Sequence, residues 1–388
     1  MRLKSLSLIA AGVLLATSPA MAAEKPKDPP VFNIGAILAM TGSAPFYGEV
    51  MSQGIKLAVD EINAAGGVDG IKLQVFIDDH KSGRAKEGVD AMQRLLSLHN
   101  TQAVFSSFSA PTLAIAPIAD REKIFIINGG GVAANLIKAS KYMVHNRSLS
   151  SALAAAAGEL AKERGYKRMA VLHWKDAAGD SVHEILKTVF AGDGRSIVAA
   201  ESVIQGAPNI DTQVAKIRAS RPDVVALGVF KPEVGLALKR LRELGVTVPI
   251  IGIEWTPDDD KLAGKHATGY EFMLEEFRPT DKNPWSQKLA AAYKAAYKKD
   301  PDMYASNYYE GTYVIAELIR RARAKGGDYW NGEALHNALL ENPTFKSVYG
   351  PTMTFDPATG LATKPIGLFK VDENGKAQFV SYISLSKK

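Results

Sequence analysis

The chain has no cysteine among its 388 residues, which excludes disulfides, thiolate metal sites and a lipid-modified N-terminal cysteine. Long apolar runs are nearly absent too. Residues 6–16 (LSLIAAGVLLA) form one, and it is too short for the roughly 20 residues of a bilayer-spanning helix. Arg2 and Lys4 precede it and Ala20-Met21-Ala22 follows, so it reads as an export leader cleaved after Ala22 or Ala23. A large excess of one charge is also lacking. Losing the leader lowers the formal charge from +6 to +4, and with no dense basic stripe, nucleic acid is not an expected partner. The signatures of common enzymes are missing: there is no G-x-S-x-G elbow, no G-x-x-x-x-G-K, and no G-x-G-x-x-G after a strand. His183-Glu184 lacks the second histidine of a zinc helix. These absences point to a protein exported to the periplasm, soluble there, neither an enzyme nor a carrier of cofactor or metal.

What is present is a strand-turn-helix phrase repeated along the chain. Residues 31–38 (VFNIGAIL) read as a buried strand, and Met51, Ile55, Ala58, Val59 and Ile62 share one face of a helix that stops at Ala65-Gly66-Gly67. Strands at 73–77, 103–106, 124–127 and 142–145 alternate with helices at 86–99 and 111–121. A second series follows, with helices at 151–164, 180–191, 211–220 and 232–244, and strands at 168–173, 197–203, 224–229 and 249–252. Helices at 284–298, 304–325 and 333–341 and two late strands, 366–371 and 378–383, close the chain. The pattern predicts an α/β fold in two lobes, each with a parallel sheet and its ligand loops at the carboxyl ends of the strands. Residues 24–30 (EKPKDPP) read as a flexible arm.

Those loops carry hydroxyls, glycines and aromatics. Ser107 and Ser109, flanking Phe108, stand where a strand enters a helix, able to cap it or to touch a ligand. Gly130, Gly131 and Val132 leave the next strand, and their amides read as a cradle for a carboxylate. Phe46, Tyr47, Trp174, Phe230, Trp255 and Tyr308 recur at similar loop ends, with Trp174 and Trp255 read as a clamp for a flat ligand. Asp78-Asp79-His80 reads as a turn-shaping strand exit, and Asp258-Asp259-Asp260 as a solvated helix start.

Phrases such as Ala58-Val59-Asp60-Glu61-Ile62-Asn63-Ala64-Ala65-Gly66-Gly67-Val68, Phe230-Lys231-Pro232-Glu233 and Tyr309-Glu310-Gly311 make the chain from 32 to 384 resemble the periplasmic solute-binding proteins of the branched-chain amino acid type. The resemblance implies a type I fold: two Rossmann-like lobes joined by a three-crossing hinge, residues 31–149 with 276–352 and residues 150–275 with 353–388. It also implies an ABC permease of the inner membrane as partner, and a small-molecule carboxylate gripped between lobes of a monomer. By the same resemblance the carboxylate falls to Ser107, Ser109, Gly130 and Val132, and Glu254 takes an acidic position. Tyr47 and Phe230 match aromatic lining positions, and Ala178 replaces a common tyrosine. Val132 cannot donate from its side chain, and the run from His145 to Ala152 has no acid where amino acid binders hold the ammonium group. A buried ammonium without a partner costs several kcal/mol. The expected ligand is therefore a carboxylate with a flat apolar body, an aromatic acid or aromatic 2-oxo acid; the alternatives are a branched-chain or other amino acid as ligand, or a role as ligand sensor for a membrane receptor.

Overall fold

A computed structural model describes residues 31–383 apart from 276, 281 and 327–329; the leader, the arm and residues 384–388 lie outside the described residues. The first sheet grows from β1 (Val31–Leu38), α1 (Pro45–Ala64), β2 (Lys72–Asp79), α2 (Ala85–His99), β3 (Ala103–Ser106), α3 (Ser109–Glu122), β4 (Phe125–Asn128) and β5 (Met143–His145). Its order is β2-β1-β3-β4-β5, parallel throughout. β3 and β4 are buried along their whole length, as short apolar strands covered on both faces must be.

The chain then crosses to a second sheet. It runs through α4 (Ser150–Glu163), β6 (Arg168–Trp174), α5 (Ala177–Phe190), β7 (Ser196–Val203), α6 (Asp211–Ala219), β8 (Val224–Gly228), α7 (Glu233–Glu243), β9 (Ile250–Gly252), α8 (Pro257–Ala263) and β10 (Glu271–Glu275). It returns with α9 (Pro284–Tyr297), α10 (Met303–Lys325) and α11 (Gly332–Glu341), and α10 packs along α1. A hairpin follows, β11 (Thr344–Lys346) with β12 (Thr352–Thr354). After a third crossing, β13 (Ile366–Val371) and β14 (Ala377–Tyr382) complete the second sheet in the order β14-β13-β10-β9-β8-β6-β7.

Two expectations change here. The second sheet is not wholly parallel, because β13 runs antiparallel to β10 and β14 antiparallel to β13. β10, α8 and the β11–β12 hairpin went unread. β10 begins and ends with glutamates that are both buried and paired: Glu271 with Arg164, Glu275 with the Ser148 amide. No helix among the described residues is long and apolar enough to cross a membrane.

Both sheets point their carboxyl ends at the space between them. The loops after β1, β3 and β4 face those after β6, β8 and β9, and the first turn of α10 closes one side. Asp79 ties the β1 loop down by accepting from the amides of Met40, Thr41 and Lys81. That is a turn-shaping role, as read from the sequence.

Candidate functional site

The space between the sheets holds a cavity of about 30 Å3, far below ligand pockets of about 300–1,000 Å3, so its two walls must move apart to admit a solute. Tyr47 and Met51 of α1, Phe108 and Ser109 at the start of α3, Gly130 and Val132 after β4, and Tyr304 of α10 form one wall. Trp174, Asp176 and Ala178 at the β6–α5 turn and Phe230 after β8 form the other. Phe108 and Trp174 face each other with centroids 6.3 Å apart and planes 24° apart, and Phe230 leans on Trp174 at 5.0 Å. The Trp174 Nε1–H donates to buried Glu233 at 3.1 Å, which fixes the indole edge and leaves its face for the cavity. Phe108 holds φ +60°, a left-handed value that is costly for a non-glycine residue and found mostly at functional sites.

The polar groups are arranged differently from the expected amide cradle. Ser109 Oγ accepts from the amides of Val132 at 3.1 Å and Ala133 at 3.0 Å. A hydroxyl has two acceptor positions and one proton, so both acceptor positions are filled and the proton remains for the cavity that Ser109 lines. The amides of Gly130 and Gly131 are likewise taken, by Asn128 Oδ1 at 3.3 and 2.7 Å. Gly131 does not line the cavity. The glycines serve internal packing instead: a Cβ on Gly129 would stand 2.7 Å from the Tyr308 ring, and one on Gly130 2.9 Å from Ser107 and Met51.

Several residues singled out from sequence stand apart from the cavity. Ser107 is sealed, with Oγ 2.8 Å from His80 Nε2. Tyr308 lies behind the glycine loop and donates to the Ser106 carbonyl at 2.6 Å; Tyr304, one helical turn earlier, takes the wall. His145 is buried beside Asn128 at 3.1 Å, and burial pushes it down to about 4. Phe46 sits outside the cavity with the Lys231 ammonium 3.6 Å from its ring centroid. Trp255 does not face Trp174; it packs on Tyr270 and Phe272 and lines a separate cavity whose border with the first is Tyr304. The rings that meet at the cavity are therefore Phe108 on one wall and Trp174 with Phe230 on the other. The run Asp258 to Asp260 does start a helix, but Asp259 is buried as half of a capping box with Thr256 rather than solvated. Among the described residues, no three His, Asp or Glu side chains are placed to hold a metal.

Behind the cavity sit Arg147, which sequence reading passed over, and Glu254, which it named. Arg147 is fully buried: Nη1 donates to the Gly130 carbonyl at 3.0 Å, the guanidinium lies 5.4 Å from the Tyr304 ring centroid, and Nη2 has no acceptor among the described residues. Glu254 also lies behind the wall, accepting from Tyr304 Oη at 2.8 Å and from Tyr47 Oη at 3.4 Å, while Tyr47 Oη accepts from the Lys231 amide at 2.9 Å. These bonds join the two lobes. No local signal in the sequence marked Tyr304 or Arg147.

Burial pushes Glu254 up to about 8; Asp259 and Asp302 add to this, and Arg147 and the Tyr304 hydroxyl oppose it. The folded protein thus keeps a proton there that an unfolded carboxyl, ionising near 4.3, has lost. Stability should fall as pH rises from about 4.5 to about 8 and then level off. Glu254→Gln stays neutral and should flatten that stretch by up to ~1.4 kcal/mol per pH unit. Urea midpoints across this pH range test it, and identical slopes for the two proteins would remove Glu254 from the account.

Two α/β lobes whose facing loops enclose a small cavity, with side chains bonded across it, define a hinged solute-binding protein. The sequence profile of the periplasmic binding protein family matches residues 31–376, and the chain belongs to that family. It is 25% identical over 368 residues to the Leu/Ile/Val-binding protein BraC3 of Rhizobium johnstonii, covering 92% of this chain and 96% of the relative. Among solved structures it resembles the branched-chain amino acid transporter protein LivJ of Streptococcus pneumoniae in complex with isoleucine (TM-score 0.79, 22% identity, 91% and 99% of the two chains). It also resembles an ABC transporter solute-binding protein of Rhodopseudomonas palustris in complex with 3,4-dihydroxybenzoic acid (TM-score 0.79, 21% identity, 92% and 97%). The family and the relatives that the chain matches are binding proteins and not enzymes.

Proposed function

We propose that this protein captures a small carboxylate with a flat, apolar body, an aromatic acid or aromatic 2-oxo acid, and delivers it as a monomer to an ABC permease of the inner membrane. The leader is removed near Ala22 or Ala23 on export to the periplasm. The lobes take residues 31–149 with 276–352 and residues 150–275 with 353–388, and close on the ligand. One observation carries the reading. Ser109 has a polarised proton left over in a cavity whose walls include the rings of Tyr47, Phe108, Trp174, Phe230 and Tyr304. A hydroxyl that accepts two amides is a stronger donor, and rings on both sides favour a flat body. Arg147, immediately behind Gly130, adds positive potential to that wall.

A second reading, an amino acid ligand, is favoured by one feature, the Asp176 carboxylate in the cavity wall. A thermal-shift screen separates the two, because a ligand that binds only the folded state raises the melting temperature. Benzoate-like acids should stabilise the protein by several degrees and leucine or isoleucine should not; the reverse ranking would replace the aromatic acid with an amino acid.

A further inference from the structure

We propose that Asp176 is a specificity-determining residue that reads the end of the ligand remote from its carboxylate, accepting a hydrogen bond from a hydroxyl or amine on the ring. The inference rests on the aromatic-acid reading of the cavity. Asp176 is the one carboxylate in the lining among the described residues, and it stands on the second lobe, across from Ser109 on the first. Its Oδ1 is occupied, accepting from the amides of Ala178 at 3.0 Å and Gly179 at 2.9 Å as the N-cap of α5. Two amides on one oxygen fix the orientation of the carboxylate. The other oxygen has no partner among the described residues and is not sealed off, on a residue that lines the cavity.

The two walls therefore ask for opposite things. Ser109 offers a proton, which suits an anion, and Asp176 offers an acceptor, which suits a donor and repels an anion. Trp174 cannot meet the second demand, since its N–H is committed to Glu233. A ring with a carboxylate at one end and a donor at the other satisfies both walls. An α-amino acid carries both charges on one carbon, and a leucine-like side chain would leave Asp176 facing apolar atoms. Burial raises the Asp176 carboxyl above its ordinary range, as expected of a half-satisfied group that gains from an added donor.

Titration calorimetry with 4-hydroxybenzoate, 4-aminobenzoate and 4-methylbenzoate tests this, the methyl group matching the others in size without donating. The wild type should bind the hydroxy or amino acid at least about tenfold more tightly than the methyl acid, as expected where a buried acceptor is otherwise left unpaired. Asp176→Asn and Asp176→Ser both retain a capping oxygen for α5 and remove the free acceptor. In both, that ratio should fall to within about threefold of one. A preference that survives both variants, or a wild type that binds all three acids equally, overturns the role of Asp176 and leaves the aromatic-acid reading standing. A wild type that binds none of the three overturns both.

Discussion

Replacing Ser109 by alanine should weaken binding of a carboxylate ligand by about 1.5–3 kcal/mol, roughly 10- to 150-fold in Kd, the range for a hydrogen bond to a charged group. The serine acts twice. Its oxygen gathers the Val132 and Ala133 amides, which joins the loop after β3 to the loop after β4. Its proton is then the donor those loops present to the cavity. Alanine removes the proton and also strands two buried amides, so the loop itself could be the source of a loss. Calorimetry with an aromatic acid and its neutral amide distinguishes these. Loss of a donor penalises the acid more, because hydrogen bonds to a charged oxygen are about twice as strong. Equal losses for acid and amide would mean that the loop had moved and that Ser109 is structural.

Lys364→Met should destabilise the folded protein by about 3–5 kcal/mol, the cost of leaving a buried charge without its partner. The side chains of Lys364 and Glu310 are both 0% exposed and 2.8 Å apart. The ammonium also donates to Asn307 Oδ1 at 2.6 Å and lies 4.1 Å from the Tyr349 ring centroid. Glu310 Oε2 accepts from Ser347 Oγ at 2.7 Å and the Val348 amide at 2.8 Å. Lys364 lies on the crossing between β12 and β13 and Glu310 in the middle of α10, so the pair fastens the third hinge segment to the first lobe. Combining Lys364→Met with Glu310→Gln removes both charges and should restore much of the stability. Urea denaturation of the single and double variants measures this. A single variant within 1 kcal/mol of wild type, about the value of an exposed pair, would show that the pair is not desolvated.

The phrases that carried the family resemblance acquire physical meaning only in three dimensions. In Tyr309-Glu310-Gly311, the tyrosine donates to Glu61 of α1, the glutamate holds Lys364, and a Cβ on the glycine would stand 2.9 Å from Phe105. In Phe230-Lys231-Pro232-Glu233, the phenylalanine walls the cavity, the lysine amide holds Tyr47, and the glutamate fixes Trp174. Most of this site was legible as a set of loops. Tyr47, Phe108, Ser109, Gly130, Val132, Trp174 and Phe230 were singled out from sequence and share one cavity. Met51, Asp176 and Tyr304 share it too, but nothing local distinguishes them from a core methionine, a helix cap and a helix-face tyrosine.

By itself the sequence determined the alternation of strands and helices, the two series and most of the loops that line the cavity, because hydrophobic period and turn chemistry are local properties. Only the tertiary structure decided which polar groups in those loops still have a bond to give. Ser107 and Ser109 are two residues apart in one phrase, yet His80 from the exit of β2 consumes the first, while amides after β4 polarise the second. Trp174 and Trp255 both follow strands, yet one faces the cavity and the other packs against Tyr270 and Phe272. Donors and acceptors are used up by partners far away in the chain, and no pattern of neighbours along a sequence records those debits.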